Sequence, residues 1–193
     1  MARSKARFKR ILDLVYVLIA APLLLPVLGF TLLYARIVAG RPVLYRQERV
    51  GRHGVPFHMV KVRTMYQGSE DETGPVLASR DDPRVIPAMA WMRKMRFDEL
   101  PQIWNVIQGD MSLVGPRPER QELADQFETV IPGYGRRHDI RPGITGLAQV
   151  NGSYHTDPGF KLGHDLQYLV NWSPVFDIQI LLRTVYVVLA RRV

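Results

Sequence analysis

The stretch that decides the fold is LVYVLIAAPLLLPVLGFTLLYA, residues 14–35, which contains no charged side chain in 22 residues. An uncharged apolar run of this length can cross the hydrocarbon core of a bilayer, which is about 30 Å thick. Pro22 and Pro26 lie in its middle, where each removes a backbone donor and clashes with the preceding turn. We therefore expect two helical arms that are joined at a break.

Basic residues flank the apolar run equally on both sides. Five lie within residues 3–10 and five within residues 36–52, so the positive-inside rule assigns no direction of crossing. If both ends face the cytoplasm, the run enters and leaves one leaflet as a re-entrant hairpin of helix, break and helix. The first arm, Leu14 to Leu25, would reach about 18 Å, which suits one leaflet. A single span with a proline kink is the alternative, and the run is too long for the apolar region of a signal peptide.

Composition and charge narrow the class of protein. The chain has 193 residues, 47% hydrophobic and 23% charged, which is enough for one domain of ordinary size. The absence of Cys excludes a disulfide framework, a thiolate zinc site and a cysteine nucleophile. Residues 1–65 hold 12 Lys or Arg against 2 acids, so much of the net charge of +8 brackets the apolar run. Nucleic-acid binding would need those cations on one folded face, and we expect no nucleic-acid partner.

The remainder of the chain predicts short strands followed by helices. Alternating residues at 43–49 and 57–63 predict two strands joined by a turn at 51–54, and residues 66–84 are predicted to be a loop. Helices are predicted at 86–95, 99–108, 121–130 and 175–193, with Gly109 ending the second. The last of them is either an interfacial helix with its arginines toward headgroups or an ordinary core helix.

The predicted fold class is therefore α+β. It is a mostly helical, membrane-associated domain with an N-terminal re-entrant hairpin, a short β-hairpin and amphipathic interfacial helices. Residues 1–40 form the basic N-terminus and the membrane hairpin, and residues 41–193 form one folding unit.

An acidic pair, Asp98-Glu99, stands directly before the second predicted helix, with Pro101 in its first turn. This position predicts that Asp98 is the N-cap, and capping alone would explain an aspartate there. The positive end of a helix also favours a charged, nucleophilic carboxylate and attracts phosphate. Position does not decide between the two roles.

Several cations stand in stiff or strand-like settings. Arg117 lies between Pro116 and Pro118 and is held extended, and Arg141 precedes another proline. A rigid guanidinium can bind phosphate oxygens in a bidentate way, although a surface arginine at a tight corner fits the same pattern. Lys61 shares one strand face with the arginine two residues on, and such a pair is either solvated or aimed at an anion.

Two familiar kinds of site are missing from the sequence. It contains neither a P-loop nor a Gly-x-Gly-x-x-Gly run that opens a helix. The five histidines, at positions 53, 58, 138, 155 and 164, show no metal-ligand spacing, which argues against zinc.

In combination and in order, the motifs resemble those of the bacterial sugar transferases, the monotopic phosphoglycosyl transferases, over about residues 8–190. Each motif is weak alone, but so many in register are specific. They are Lys9-Arg10-x-x-Asp13, Gln47-x-Arg49-Val50-Gly51, Phe57-x-x-x-Lys61-Val62-Arg63-Thr64-Met65, Asp98-Glu99-Leu100-Pro101-Gln102, Asn105-Val106, Gly109-Asp110-Met111-Ser112, Gly115-Pro116-Arg117-Pro118, Arg141-Pro142-Gly143-Ile144-Thr145-Gly146, Ala148-Gln149-Val150-Asn151-Gly152 and Asp165-x-x-Tyr168.

Two departures from the family pattern stand out. Leu25 precedes the hairpin proline where the family often has Ser, and Arg96-Phe97 replaces a common Ser-Leu pair. The second departure adds a cation and a ring beside the acidic pair.

The resemblance implies transfer of a sugar phosphate from a UDP-sugar to polyprenol (undecaprenyl) phosphate, with release of UMP, as the first membrane step of glycan assembly. It places residues 41–193 as the catalytic domain on the cytoplasmic face of the bacterial inner membrane. It also implies the site residues: Asp98 as the nucleophile that carries the phosphosugar, Asp98 and Glu99 as ligands of Mg²⁺, Lys61, Arg93 and Arg117 as phosphate-binding cations, and Arg141 and Gln149 as nucleotide-binding residues.

A non-catalytic membrane adaptor, which binds anionic lipid or partner proteins through its basic hairpin, is the competing hypothesis. It accounts for the charge distribution but gives no reason for an acidic pair followed by proline-stiffened arginines. A partly exposed membrane face and a terminal helix would also allow a homodimer.

Overall fold

A single long helix, α1 (Arg3–Val38), carries the apolar run and contains both prolines. The computed structural model of the chain describes residues 3–69, 82–152 and 157–190. After α1 the described elements are β1 (Leu44–Val50), β2 (Pro56–Val62), α2 (Ala90–Lys94), α3 (Gln102–Gln108), β3 (Ser112–Val114), α4 (Gln121–Val130), β4 (Gly143–Thr145), α5 (Leu147–Asn151), α6 (Pro158–Asn171) and α7 (Pro174–Leu189). Short 3-10 turns cover Arg52–Gly54, Pro87–Met89, Phe97–Glu99 and Tyr134–Asp139.

The two separate arms expected from Pro22 and Pro26 are not seen, because α1 is assigned as one helix through both positions. A proline in a helix interior costs one backbone hydrogen bond and favours a kink, but the turns on either side can keep their own hydrogen bonds. The helix is the one in the described part of the chain that is long and apolar enough to cross a membrane. Only 6% of its apolar window is buried, and this feature indicates membrane association.

α1 packs against the rest of the protein near its two ends, and no residue from 18 to 30 is buried. The buried positions near its start are Ala6, Lys9, Asp13 and Val17, and those near its end are Thr31 and Ala35. This spacing of three to four residues marks a single helix face. The opposite face is exposed, with Leu18, Ile19, Leu23, Leu25, Phe30, Leu33 and Ile37 each more than half accessible.

The predicted β-hairpin is confirmed. β1 and β2 pair antiparallel, with Tyr45 opposite Lys61 and Arg49 opposite Phe57. The connecting turn contains Gly54 at φ +78°, a conformation that glycine adopts without steric cost. Met59 of β2 belongs to the same core cluster as Val17, so the hairpin is packed beneath α1.

A second, parallel sheet was not predicted. β3 and β4 pair through Ser112 with Gly143 and through Val114 with Thr145. Strands of three residues are too short to show an alternating pattern. Glycine is required where they meet, because a Cβ on Gly143 would lie 2.1 Å from the backbone nitrogen of Gly115.

The helices that follow complete the core around this sheet. α4 has the bounds predicted for it, and α7 covers most of the predicted terminal helix, whereas α6 was missed. Apolar residues of β3, α5, α6 and α7 form one cluster around Val114. α7 packs through its buried Ile180, while Leu182 and Leu189 are about two-thirds exposed, so this helix has a core face and an open apolar face. The predicted loop at 66–84 lies mostly outside the described residues.

A buried polar network fastens the start of α1 to the end of the chain. The Lys9 ammonium donates to Asp177 at 2.8 Å, and Asp177 also accepts from the Tyr168 hydroxyl at 2.6 Å and the Trp172 indole at 3.0 Å. Asp13 accepts from the Ser112 hydroxyl at 3.0 Å. Charges buried this deeply are stable only when paired and hydrogen-bonded, so the network fixes α1 relative to β3 and α7.

The parallel sheet yields a test with a matched control. Gly143→Ala should lower the Tm by several degrees and destabilise the fold by about 3 kcal/mol, because the added methyl group meets backbone that cannot move aside. Gly163→Ala in α6 meets nothing within 4 Å and should stabilise by about 0.5–1 kcal/mol, since alanine favours the helix. Thermal unfolding in detergent measures both, and a Gly143→Ala protein as stable as the parent would contradict the packing described here.

Candidate active site

The acidic pair lies in the 3-10 turn Phe97–Glu99 rather than at the start of a helix. α3 begins only at Gln102, and the position before it is Pro101, with no side-chain cap. The prediction that Asp98 is the N-cap of α3 is therefore wrong. The reason is that the 3-10 turn at Phe97–Glu99 comes before α3. In this turn the backbone N–H of Leu100 donates to the carbonyl of Phe97.

The backbone enters this turn through an unusual conformation. Arg96 has φ +58° and ψ +19°, the left-handed region that non-glycine residues adopt at a cost. The chain reverses here between α2 and the 3-10 turn. The carboxyl groups of both Asp98 and Glu99 are thereby buried, at 7% and 6% residue exposure.

Three cations converge on one oxygen of Glu99. The Arg117 guanidinium donates to Glu99 Oε1 at 2.8 Å, the Lys61 ammonium at 3.0 Å and the Arg96 guanidinium at 3.3 Å. They come from three separate parts of the chain: β2, the turn before the acidic pair and the proline-flanked segment after β3. Lys61 is thus aimed at an anion. Its neighbour Arg63 instead donates to backbone carbonyls of Ala39 and Pro42, just after α1.

The two carboxyl groups differ in acidity. Burial, and then the charge of Glu99, raises the pKa of Asp98 to about 6, although Lys61, Arg93 and Arg96 act in the opposite direction. Burial alone would raise the pKa of Glu99 as well. The charges of Arg117, Lys61 and Arg96 outweigh burial, however, and hold the pKa of Glu99 well below its ordinary value. Glu99 is therefore the fixed anion of the pair.

Asp98 is the member of the pair left open for chemistry. Its Oδ1 is buried and has no hydrogen-bond partner in the part of the chain that the structure describes. A buried carboxylate oxygen without a partner is costly unless something else approaches it. An electrophile or a cation would satisfy it.

The acidic pair could hold a divalent cation. Mg²⁺ takes oxygen ligands and usually binds through one or two carboxylates together with waters and substrate phosphate. The unpartnered oxygen of Asp98 beside a second carboxylate fits this preference. Among the described residues, no group of three or more His, Asp or Glu side chains forms a larger metal cluster.

Arg93 lies close to the pair on α2. Its guanidinium donates to the Thr64 hydroxyl at 3.3 Å, and its charge lowers the pKa of Asp98. The structure thus brings together Asp98, Glu99, Lys61, Arg93 and Arg117 of the predicted site residues, and it adds Arg96.

Arg141 and Gln149 are placed elsewhere. Arg141 donates to the carbonyl of Gly109 at 2.8 Å, which lies at the opposite end of α3 from the acidic pair. Burial, followed by the charges of Arg52 and Arg10, lowers the pKa of Arg141. The amide of Gln149 donates to the carbonyl of Ile144 at 2.9 Å, and its oxygen is buried without a partner in the described residues.

The sequence patterns do not predict a role for Arg137, which contacts the backbone of the segment that carries Arg117. Its guanidinium donates to the carbonyl of Arg117 at 3.0 Å and pairs with Asp165 at 2.9 Å and with Glu119 at 3.6 Å. Arg137 is fully buried and fixes the segment that carries Arg117. The Asp165-x-x-Tyr168 motif is the signal that the sequence offers, but it does not identify the arginine that pairs with Asp165.

The site is thus a buried acidic pair surrounded by cations, in a chain whose α1 is long and apolar enough to cross a membrane. The sequence profile described as bacterial sugar transferase matches residues 4–191 of the chain. The chain belongs to this family.

Curated relatives agree in sequence over nearly the whole chain. A UDP-N-acetylgalactosamine-undecaprenyl-phosphate N-acetylgalactosaminephosphotransferase of Aeromonas hydrophila is 41% identical over 187 residues, which is 95% of this chain and 44% of that protein. UDP-glucose:undecaprenyl-phosphate glucose-1-phosphate transferases of Caulobacter vibrioides and Escherichia coli K12 are 40% and 39% identical, over 92% of this chain and 68% and 39% of those proteins. This chain therefore spans less than half the length of two of these three relatives.

The split acidity of the pair can be measured directly. We expect the carboxyl ¹³C signal of Asp98 to titrate at about pH 6 and that of Glu99 to stay ionised to well below its ordinary range. In Glu99→Gln the Asp98 midpoint should fall, since the neighbouring anion that opposes ionisation is gone. Asp98→Asn assigns the signal by removing it. An Asp98 midpoint near 4 in the parent protein would contradict the burial and charge described here.

Proposed function

We propose that the chain transfers a sugar phosphate from a UDP-sugar to undecaprenyl phosphate and releases UMP. The names of the three relatives describe transfers of this kind, and this chain has the side chains that the reaction requires. The observation that carries the proposal is the buried pair of Asp98 and Glu99. Among the described residues, Asp98 Oδ1 has no hydrogen-bond partner, whereas Glu99 Oε1 contacts three cations.

In the first half-reaction, a carboxylate oxygen of Asp98 attacks the β-phosphorus of the donor. A bond forms between that oxygen and phosphorus, and the bond from phosphorus to the oxygen bridging the two phosphates breaks. UMP leaves with that electron pair, and the sugar phosphate stays on Asp98 as an acyl phosphate. Covalent capture divides one difficult displacement into two easier ones.

Cations are needed because the attacking carboxylate and the diphosphate repel each other. Lys61, Arg93 and Arg117 are placed to hold the phosphoryl oxygens and to stabilise the charge that develops on them. Asp98 and Glu99 would hold Mg²⁺, which when bound supplies further neutralisation of the diphosphate. Glu99, ionised throughout, keeps Lys61 and Arg117 oriented while phosphate enters and leaves.

In the second half-reaction, the phosphate of the lipid acceptor attacks the same phosphorus. The bond between phosphorus and the Asp98 oxygen breaks, and Asp98 leaves as a free carboxylate. The product is a lipid diphosphate sugar. The attack requires the acceptor headgroup to reach a buried aspartate, which is met if the site lies at the membrane surface.

We also propose that α1 enters and leaves the same leaflet, so that residues 41–193 stay on the cytoplasmic face of the inner membrane as the catalytic domain. Contacts at both ends of the helix support this. Near its start Arg10 donates to the carbonyls of Val106 and Ile107, and near its end the Tyr34 hydroxyl donates to the carbonyl of Ala88 at 2.9 Å. A straight span would separate these ends by the thickness of the bilayer.

The core contacts of α1 favour a bend. Val17 shares a cluster with Met59, and Ala35 shares one with Val62. Along a straight helix Val17 and Ala35 would be about 27 Å apart, whereas Met59 and Val62 are about 10 Å apart along β2. Pro22 and Pro26 lie between the two contact points, where a kink would close this difference.

The activity is tested with detergent-solubilised protein, Mg²⁺, undecaprenyl phosphate and a panel of UDP-sugars. We expect UMP release with at least one donor and, in quenched samples, a mass increase of one sugar phosphate on the peptide that contains Asp98. Asp98→Asn should abolish both, because an amide is not a nucleophile here, while Asp125→Asn on the exposed face of α4 should leave both unchanged. No UMP from any donor would favour the membrane adaptor, and an adduct in Asp98→Asn would shift the nucleophile to Glu99.

Topology is tested by single-cysteine labelling, which the cysteine-free chain permits. Lys5→Cys and Arg41→Cys lie at exposed positions on either side of the apolar run. In inverted membrane vesicles a membrane-impermeant maleimide should label both, and in right-side-out vesicles neither, because both ends face the cytoplasm. Leu25→Cys should stay unlabelled in either. Labelling of only one end in each preparation would establish a single span.

A further inference from the structure

Four aromatic side chains form a continuous row from α1 to the acidic pair. Phe30 stacks on Tyr34 with ring centroids 6.1 Å apart, Tyr34 meets Trp91 edge-on at 5.4 Å, and Trp91 meets Phe97 edge-on at 5.9 Å. We call these four residues the aromatic row. They come from two turns of α1, from α2 and from the 3-10 turn of the site.

The aromatic row joins the apolar surface of the protein to its reactive group. Phe30 is 57% exposed on the outward face of α1, within the run long enough to enter a membrane. At the other end, Phe97 is adjacent in sequence to Asp98. The rings between them are only partly buried at the edge of the core cluster around Met89, so they still offer apolar surface.

We propose that the aromatic row binds the polyisoprenoid chain of the acceptor and thereby guides its phosphate to Asp98. This inference rests on the proposed function, which supplies a lipid phosphate as the second substrate. It adds where the lipid part of that substrate lies and which residues recognise it.

The two ends of the aromatic row differ in the way that the two ends of an amphiphile with one anionic headgroup differ. The short helix α2 carries both Trp91 of the row and Arg93, whose charge acts on Asp98, and Arg96 lies directly before Phe97. Cations therefore stand where the phosphate would arrive, and apolar rings stand where the chain would trail toward the bilayer. A nucleotide sugar offers one base for stacking on a ring, whereas a polyisoprenoid chain is apolar along its whole length and can contact all four rings.

The conformation of Arg96 separates the two functions of the turn. With Arg96 in the left-handed region, Phe97 remains partly exposed and packs on Trp91, while Asp98 is turned inward and buried. An adjacent ring and carboxylate are thus presented to different surroundings. An acceptor lying along the row would have its phosphate at the reactive side of this turn.

The test compares two acceptors that share a headgroup, undecaprenyl phosphate and a short-chain polyprenyl phosphate. Trp91→Leu and Phe97→Leu should each raise the KM for undecaprenyl phosphate about tenfold, as expected for the loss of one aromatic contact with the chain. The KM for the short acceptor should change less than twofold. Trp91→Phe keeps a ring in place and should restore most of the affinity for the long acceptor.

Trp104→Leu is the matched control, because Trp104 is 57% exposed on α3 and lies outside the row. It should leave both KM values unchanged. If it raises the KM for the long acceptor as much as Trp91→Leu does, the effect is general membrane contact, and the row is not the binding site. Equal rises for long and short acceptors in the row variants would overturn the proposal in the same way, since a bilayer lipid covering the rings would not distinguish acceptor length.

Formation of the phosphosugar adduct in the absence of acceptor separates this proposal from the one on which it rests. A parent protein that forms no adduct and releases no UMP contradicts the proposed function. A parent that does both, with row variants that form the adduct and keep the parent's KM for undecaprenyl phosphate, contradicts only the role of the row. Phe97→Leu, a substitution close in size, keeps the test decisive if Trp91→Leu does not fold.

Discussion

The site depends on the convergence of three cations on a single oxygen of Glu99. Removing charged groups from water is costly unless each is paired with good geometry, and here Lys61, Arg96 and Arg117 are paired through one acceptor. That contact ties β2 to the turn before α3 and to the segment after β3. Among the described residues Glu99 is the one anion that pairs with all three cations, so it links these three parts of the chain at the site.

The charge count around the pair explains why such a site attracts phosphate. The cations around the pair carry four positive charges, on Lys61, Arg93, Arg96 and Arg117. Asp98 and Glu99 carry two negative charges when both are ionised. An arriving diphosphate would offset this excess. The same excess limits how far the pKa of Asp98 rises, since burial and Glu99 act in one direction and the cations in the other. With a pKa of about 6, Asp98 is mostly ionised at neutral pH.

Sequence patterns predicted those parts of the fold that local chemistry determines. The alternation in residues 43–63 predicted the β-hairpin, the apolar spacing in α4 predicted its bounds, and Gly109 ends α3 in the left-handed conformation, with φ +99°. The parallel pairing of β3 and β4 was out of reach, because three residues carry no periodicity and their partners are about 30 positions apart. α6 was missed although Asp157 caps it and Pro158 opens it.

The residues of the candidate site likewise divide into those that the sequence predicts and those that it does not. Asp98, Glu99, Lys61, Arg93 and Arg117 were identified by resemblance and are found together. The prediction that Asp98 caps α3 was wrong. An acidic residue shortly before a proline is typical of a helix start, and the composition gives no sign of the 3-10 turn that precedes α3. Arg137 could not be predicted, since its role depends on a carbonyl 20 residues away in sequence and a buried ion pair with Asp165.

The contact between Lys9 and Asp177 sets an order on biosynthesis. The ammonium group and its carboxylate partner are 168 residues apart, so α1 is synthesised long before this partner. Until then, Asp13 in the next turn of α1 is the acidic partner within reach of Lys9. The buried network around Lys9 can therefore be completed only after α7 has been made.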